Sequence, residues 1–200
     1  MMVPEEKLRQ AISSHQKKRI LDRELTKSAV LVPVFSKSEG QHILFIKRSD
    51  KVAYHKGQIS FPGGTYDESD SSLLHTALRE GWEEIGLEHE DVDILGELDD
   101  TTTANTGFII SPFVAFIPYP YEFKKNRMEI DKIISIPLAA LLGEDNFRQE
   151  YQVIGNESIL VYFYEYEGQV VWGATARIVK QLVDILRPHD SPPTKGNFLL

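Results

Sequence analysis

The chain has 200 residues, of which 42% are hydrophobic and 26% charged, with a formal net charge of −8 at pH 7 and no cysteine. That length suits one domain, or one domain with an added arm, and the apolar share can fill a core. The lack of cysteine excludes a disulfide framework, a zinc–thiolate site and a cysteine nucleophile, and a cytoplasmic setting is expected. No nucleic-acid partner is expected, because the short basic runs at 17–19 and 124–125 read as solvated faces. No membrane partner is expected either. Apolar runs such as SAVLVPVF are too short to cross a bilayer, and the opening MMVPEEKLRQ lacks the apolar core of a secretory signal.

In chain order, residues 4 to about 20 read as a helix, with Pro4 in its first turn and Leu8, Ala11 and Ile12 as a short stripe. Residues 28–36 and 42–48 read as strands around the turn-like SKSEG. The loop that follows contains Pro62-Gly63-Gly64, a place where side chains would obstruct the backbone. A helix is expected from about Ser72 to Ile85, capped by Ser71 or Ser72 and closed by Gly86. Residues 92–100 and 108–117 read as strands, and EIDKIISIPLAALL as a strand that stops at Pro137 and turns into a short helix. Residues 151–154 and 159–166 look like a hairpin, with a further strand at 169–172. GATARIVKQLVDILRP is a final helix ended by Pro188, with Ile178, Leu182 and Ile185 at core spacing. The elements lack regular βαβ alternation, so the class is α+β. The expected organisation is a helical arm over 1–25, a domain over 26–188 and a flexible tail over 189–200.

The segment TALREGWEEIGL, residues 76–87, raises a problem of charge. Glu80, Glu83 and Glu84 fall within an arc of about 100° on a helix, with Leu74, Leu78, Trp82 and Ile85 roughly opposite. Like charges at these spacings repel by a few tenths of a kcal/mol per pair. A hard divalent cation such as Mg²⁺ would compensate, because it prefers oxygen ligands. Arg79 lies one turn before Glu83 and can orient it.

Gly64 to Leu87 resembles the Nudix box, G-x5-E-x7-R-E-U-x-E-E-x-G-U, where U is bulky and apolar. Arg79, Glu80, Glu83, Glu84, Gly86 and Leu87 match it. The first half is one residue longer and offers Asp70 or Ser71 where the pattern has Glu, and Gly81 takes a U position. Upstream, LFIKRSDKVAYHKGQISFPGG resembles the motif of Nudix enzymes that cleave coenzyme A, through Arg48, Ser49, Gly57, Phe61, Pro62, Gly63 and Gly64. The second basic position of that motif falls on Ala53. TGFIISPFVAFIP, EIDKIISIPL and VWGATARI are similar to later segments of the subfamily.

The resemblance implies an α/β/α sandwich around a mixed sheet. It implies a pyrophosphatase holding Mg²⁺ or Mn²⁺ through Glu80, Glu83 and Glu84, with Arg79 and Glu129 also catalytic. Arg48, Gly57, Phe61, Gly63 and Gly64 are the expected substrate contacts. The expected partner is a nucleoside diphosphate derivative, coenzyme A first, with a homodimer left open. A different nucleoside-diphosphate substrate, and a module that binds a nucleotide without cleaving it, are the competing readings. The intact Arg-Glu-Glu-Glu set argues against the last, and no P-loop pattern occurs.

Overall fold

The computed structural model describes residues 3–51, 55–103, 107–154 and 157–187. Ala53, Thr106, Pro188 and the 189–200 tail lie outside the described residues.

The elements follow in order as α1 (Glu5–Ser13), β1 (Thr26–Lys37), β2 (Gly40–Arg48), β3 (Ile59–Ser60), β4 (Gly63–Thr65), α2 (Leu73–Ile85), β5 (Asp93–Glu97), β6 (Thr101–Thr102), β7 (Phe108–Phe116), β8 (Ile130–Pro137), α3 (Leu138–Leu142), β9 (Phe147–Ile154), β10 (Glu157–Tyr166), β11 (Gln169–Trp172) and α4 (Gly173–Leu186). The main sheet is mixed. β1 runs parallel to β7, while β1 pairs antiparallel with β2 and β4, and β2 with β3 and β8. β9, β10 and β11 form a separate antiparallel sheet.

Alternation along β1 and β2 builds two cores. Val32, Val34, Ile43 and Phe45 face one side, where Leu8 and Ile12 of α1, Leu138 and Leu141 of α3, and Ile178, Val179 and Leu182 of α4 pack. Ala29, Leu31, Phe35, Leu44 and Ile46 face the other, under Ala77 and Ile85 of α2. The expected α+β layering, helices on both faces of a mixed sheet, is what the chain adopts.

β1 and β2 stay paired only near their turn, from Val34↔Ile43 to Lys37↔Gly40. Beyond it they diverge, and residues 59–65 fill the gap as β3 beside β2 and β4 beside β1.

Three expectations are corrected. The first helix ends at Ser13 rather than near residue 20. The hydroxyls of Ser13 and Ser14 bond to the Gln10 and Ala11 carbonyls, and the chain beyond is pulled to the sheet by ion pairs of Lys17 with Glu97 (2.7 Å) and Asp100 (2.8 Å). The strand expected over 92–100 is only β5, ending at Glu97, with a register shift at Ile94/Gly96, where the Ile12 side chain crowds Gly96; β6 begins beyond the expected range. Trp82 is 51% exposed, because α2 buries a face centred on Ala77, Gly81 and Glu84 instead.

Candidate active site

α2 begins and ends as its sequence dictates. The Ser72 hydroxyl accepts from the His75 backbone N–H at 3.1 Å. Gly86, at φ 67°, closes the helix, its N–H donating to the Trp82 carbonyl at 2.8 Å.

Arg79 is the hub of the carboxylates. Its Nε and Nη2 donate to both oxygens of Asp70, at 3.0 and 3.1 Å, and its Nη1 donates to Glu80 at 2.8 Å. The contact to Glu83 is longer, at 3.3 Å. The orienting role assigned to Arg79 from spacing therefore falls first on Glu80, with Glu83 a secondary partner. Asp70 is the buried anchor. It also accepts from the Thr76 hydroxyl at 2.8 Å and lies 2.9 Å from His75 Nδ1. The Arg79 guanidinium holds the Asp70 carboxyl well below the usual carboxylate range, and Asp70 in turn raises Arg79. The longer first half of the box thus still delivers a carboxylate to the arginine, one residue type shorter. Asp70 was visible in sequence as a departure; its role was not, because a nine-residue separation across a loop carries no periodic signal.

Glu84 points inward. Its side chain is 2% exposed, accepts from the Gly63 N–H at 3.0 Å and pairs with Arg48 Nη1 at 3.4 Å. Burial pushes its carboxyl up to about 8, with Gly63 and Arg48 acting against that and the charges of Glu80 and Glu129 adding to it. Glu80 lies against Gly64 with no room for a Cβ between them. Burial also raises its pKa, opposed by Arg79 and reinforced by Glu83 and Glu129. Glu83 stands on the outer flank with its side chain 46% exposed. It borders a smaller depression lined also by His75, Trp82 and His89.

Glu129 occupies the turn just before β8 rather than the strand itself. Asn126 Nδ2 donates to its carboxylate at 3.2 Å, and the Asn126 N–H bonds to the Glu84 carbonyl at 2.9 Å. Arg48 ends β2, and its Nε is buried with no acceptor among the described residues. Gly57, at φ 67°, donates its N–H to the Arg48 carbonyl at 3.1 Å. Phe61 is 3% exposed and stacks on Phe45 at 4.7 Å. Its ring belongs to the core with Phe45 and Ile59, where little of it is open to a ligand.

A groove of about 560 Å³ opens beside Gly57, between β2–β3 and the second sheet. Lys47, Lys56, Gln152, Phe163, Gln169 and Trp172 are among its lining residues. The contribution of β9–β11 to this groove carries no motif in the sequence.

The structure therefore brings together Arg48, Gly63, Gly64, Arg79, Glu80, Glu84 and Glu129, and leaves Glu83 at the margin. Among the described residues, no three carboxylate or imidazole groups converge at ligand spacing. The donor chemistry nonetheless suits a hard dication. Glu129 charges oppose ionisation of both Glu80 and Glu84, and Glu80 opposes that of Glu84. A dication relieves that repulsion and finds oxygen donors only.

A family model for the NUDIX domain matches residues 25–154. The chain is 34% identical over 155 residues to an uncharacterized Nudix hydrolase, NudL, of Photorhabdus laumondii, covering 78% of this chain and 82% of that one. It is 36% identical over 155 residues to the uncharacterized NudL of Yersinia enterocolitica, covering 78% of each. Among solved structures, a MutT/nudix family protein from Enterococcus faecalis superposes with a TM-score of 0.52 at 14% identity, over 84% of this chain and 64% of that one, a likeness of fold. The chain belongs to the Nudix hydrolase family, whose members act on pyrophosphate-containing substrates and generally use divalent metal ions. No described helix is long and apolar enough to cross a membrane.

Proposed function

We propose that this chain cleaves coenzyme A into 4′-phosphopantetheine and 3′,5′-ADP, with Mg²⁺ or Mn²⁺ held by Glu80, Glu83 and Glu84. The observation that carries this is the contact of Arg48 with Glu84 at 3.4 Å. It joins the segment resembling the coenzyme A motif to the carboxylates of the Nudix box, so that one substrate can touch both. The Gly63 N–H, bonded to the same carboxylate, adds a second link.

A bound dication supplies charge neutralisation at the phosphates and a more acidic water. The rest is the work of this chain's residues. Arg48 offers a guanidinium to the diphosphate oxygens. Gly63 and Gly64 let backbone come close where a side chain would intrude. Arg79, fixed by Asp70, holds Glu80 in place. Glu129, kept in reach of Glu80 and Glu84 by Asn126, accepts the proton of the attacking water. The water oxygen bonds to one phosphorus, the bridging P–O bond breaks, and the bridging oxygen leaves with the other phosphate.

The test is incubation with Mg²⁺ and, separately, coenzyme A, ADP-ribose, dinucleotides and nucleoside triphosphates, with products identified by mass. Coenzyme A is expected to give the highest kcat/KM, and EDTA to abolish turnover. A higher value for ADP-ribose overturns the substrate assignment.

A further inference from the structure

The groove beside Gly57 carries a chemistry that the carboxylate site does not. Lys47 and Lys56 line it, and neither ammonium has an ion-pair or hydrogen-bond partner among the described residues. Among the described residues, no acidic one lines it, in a chain of net charge −8. Trp172, 41% exposed, forms part of its wall, with Phe163 paired to it across β10–β11. The amides of Gln152 and Gln169 complete the lining. Two lysines with no side-chain partner among the described residues, a partly exposed indole and neutral side-chain amides fit a planar base carrying a phosphate.

Its position relative to the catalytic groups is fixed by backbone. Lys47 and Arg48 are neighbours on β2, about 3.3 Å apart along the strand, at the point where its register against β8 shifts. The wall residues Gly57 and Gln58 bond to both backbone groups of Arg48, at 3.1 and 2.9 Å. Arg48 pairs with Glu84 and Lys47 lines the groove. The groove and the carboxylates therefore meet at one strand end.

We infer that this groove is the subsite for a 3′-phosphorylated adenosine, with Lys47 and Lys56 on the 3′-phosphate and Trp172 stacked on the base. The assignment rests on the coenzyme A proposal and adds to it the end of the molecule that is recognised. It makes the enzyme selective for the 3′-phosphate, a group remote from the bond that breaks.

The experiment pairs turnover with binding. Wild type and a Lys47→Gln/Lys56→Gln double variant are compared on coenzyme A and 3′-dephospho-coenzyme A, and by calorimetry with 3′,5′-ADP and 5′-AMP without metal. Circular dichroism checks that the variant is folded, and Trp172→Leu is run alongside. The wild type is expected to favour coenzyme A by tenfold or more in kcat/KM, through KM. The double variant is expected to lose that preference and the preference for 3′,5′-ADP over 5′-AMP, and Trp172→Leu to weaken both nucleotides. If wild type cleaves coenzyme A but the variants keep its selectivity, the groove assignment falls while the substrate proposal stands. If wild type binds 3′,5′-ADP no better than 5′-AMP, the groove assignment falls outright. Selective, lysine-dependent binding of 3′,5′-ADP without coenzyme A cleavage supports the groove and overturns the reaction.

Discussion

A Cβ added to Gly64 would lie 2.4 Å from Glu80 Cδ, so the glycine and the carboxylate share one space. The Gly64→Ala variant must move Glu80 off Arg79 or move the β4 backbone. Turnover is expected to fall by at least about a hundredfold, the scale on which a misplaced catalytic group acts. Steady-state kinetics across a Mg²⁺ series checks this, and near-normal kcat counts against a catalytic Glu80.

Asp70 and Arg79 form a buried, two-point pair. Removing the charge in Asp70→Asn is expected to cost about 2–4 kcal/mol in urea unfolding, because Arg79 loses its buried partner. The Asp70 carboxyl is held below its ordinary 3.8, so the pair stabilises above that pH and its contribution drains as pH falls below it. The gap between wild type and variant should therefore narrow in acid. A gap that widens there would refute the pairing.

Glu84 works in the opposite sense. Its carboxyl is pushed from 4.5 up to about 8, so it adds stability below 4.5 that is lost as pH rises through about 8. In EDTA, the Tm of wild type relative to Glu84→Gln is expected to fall across that range, and Mg²⁺ to offset the loss. A pH-independent difference in Tm would show that Glu84 stays ionised throughout.

Glu129→Gln keeps the size of the side chain and removes its charge. As the base, it should lose roughly two to four decades of kcat with little change in KM. Partial recovery at raised Mg²⁺ would make it a ligand instead. An unchanged kcat at limiting Mg²⁺ would remove it from the site.

Gly81 is not needed for space, since an added Cβ meets Leu31 Cδ2 at an ordinary 3.6 Å. Gly81→Ala is expected to stabilise the protein by about 0.5–1 kcal/mol with activity retained, as helix propensity alone would give. Thermal unfolding and turnover on one preparation decide it.

What was legible in the sequence was periodic or capped. α2 from Ser72 to Gly86, the stop of β8 at Pro137 and the α4 stripe all follow from local chemistry that tertiary contacts leave alone. The carboxylate face was legible in kind, but helical spacing alone does not say which side is buried. That choice depends on Leu31 and Gly63, far along the chain, and it sends Glu84 inward and Glu83 outward. Trp82 was misplaced for the same reason. The Asp70 anchor and the groove wall from β9–β11 join segments whose separation leaves no pattern to find.

The divergence of β1 and β2 has a dynamic consequence. Residues 59–65 are bonded to β2 on one side and β1 on the other, and the Leu31 N–H also reaches the Pro62 carbonyl at 2.8 Å. The glycines that approach the carboxylates are thus rungs of the central sheet, not a loop hung from it. The Gly63 N–H is the exception, since it donates to the Glu84 carboxylate at 3.0 Å, whereas the strand-paired amides around it exchange only when the sheet itself opens. The backbone that approaches the carboxylates is therefore held in place by the sheet on both sides, and an opening that admits substrate is expected from segments outside 59–65.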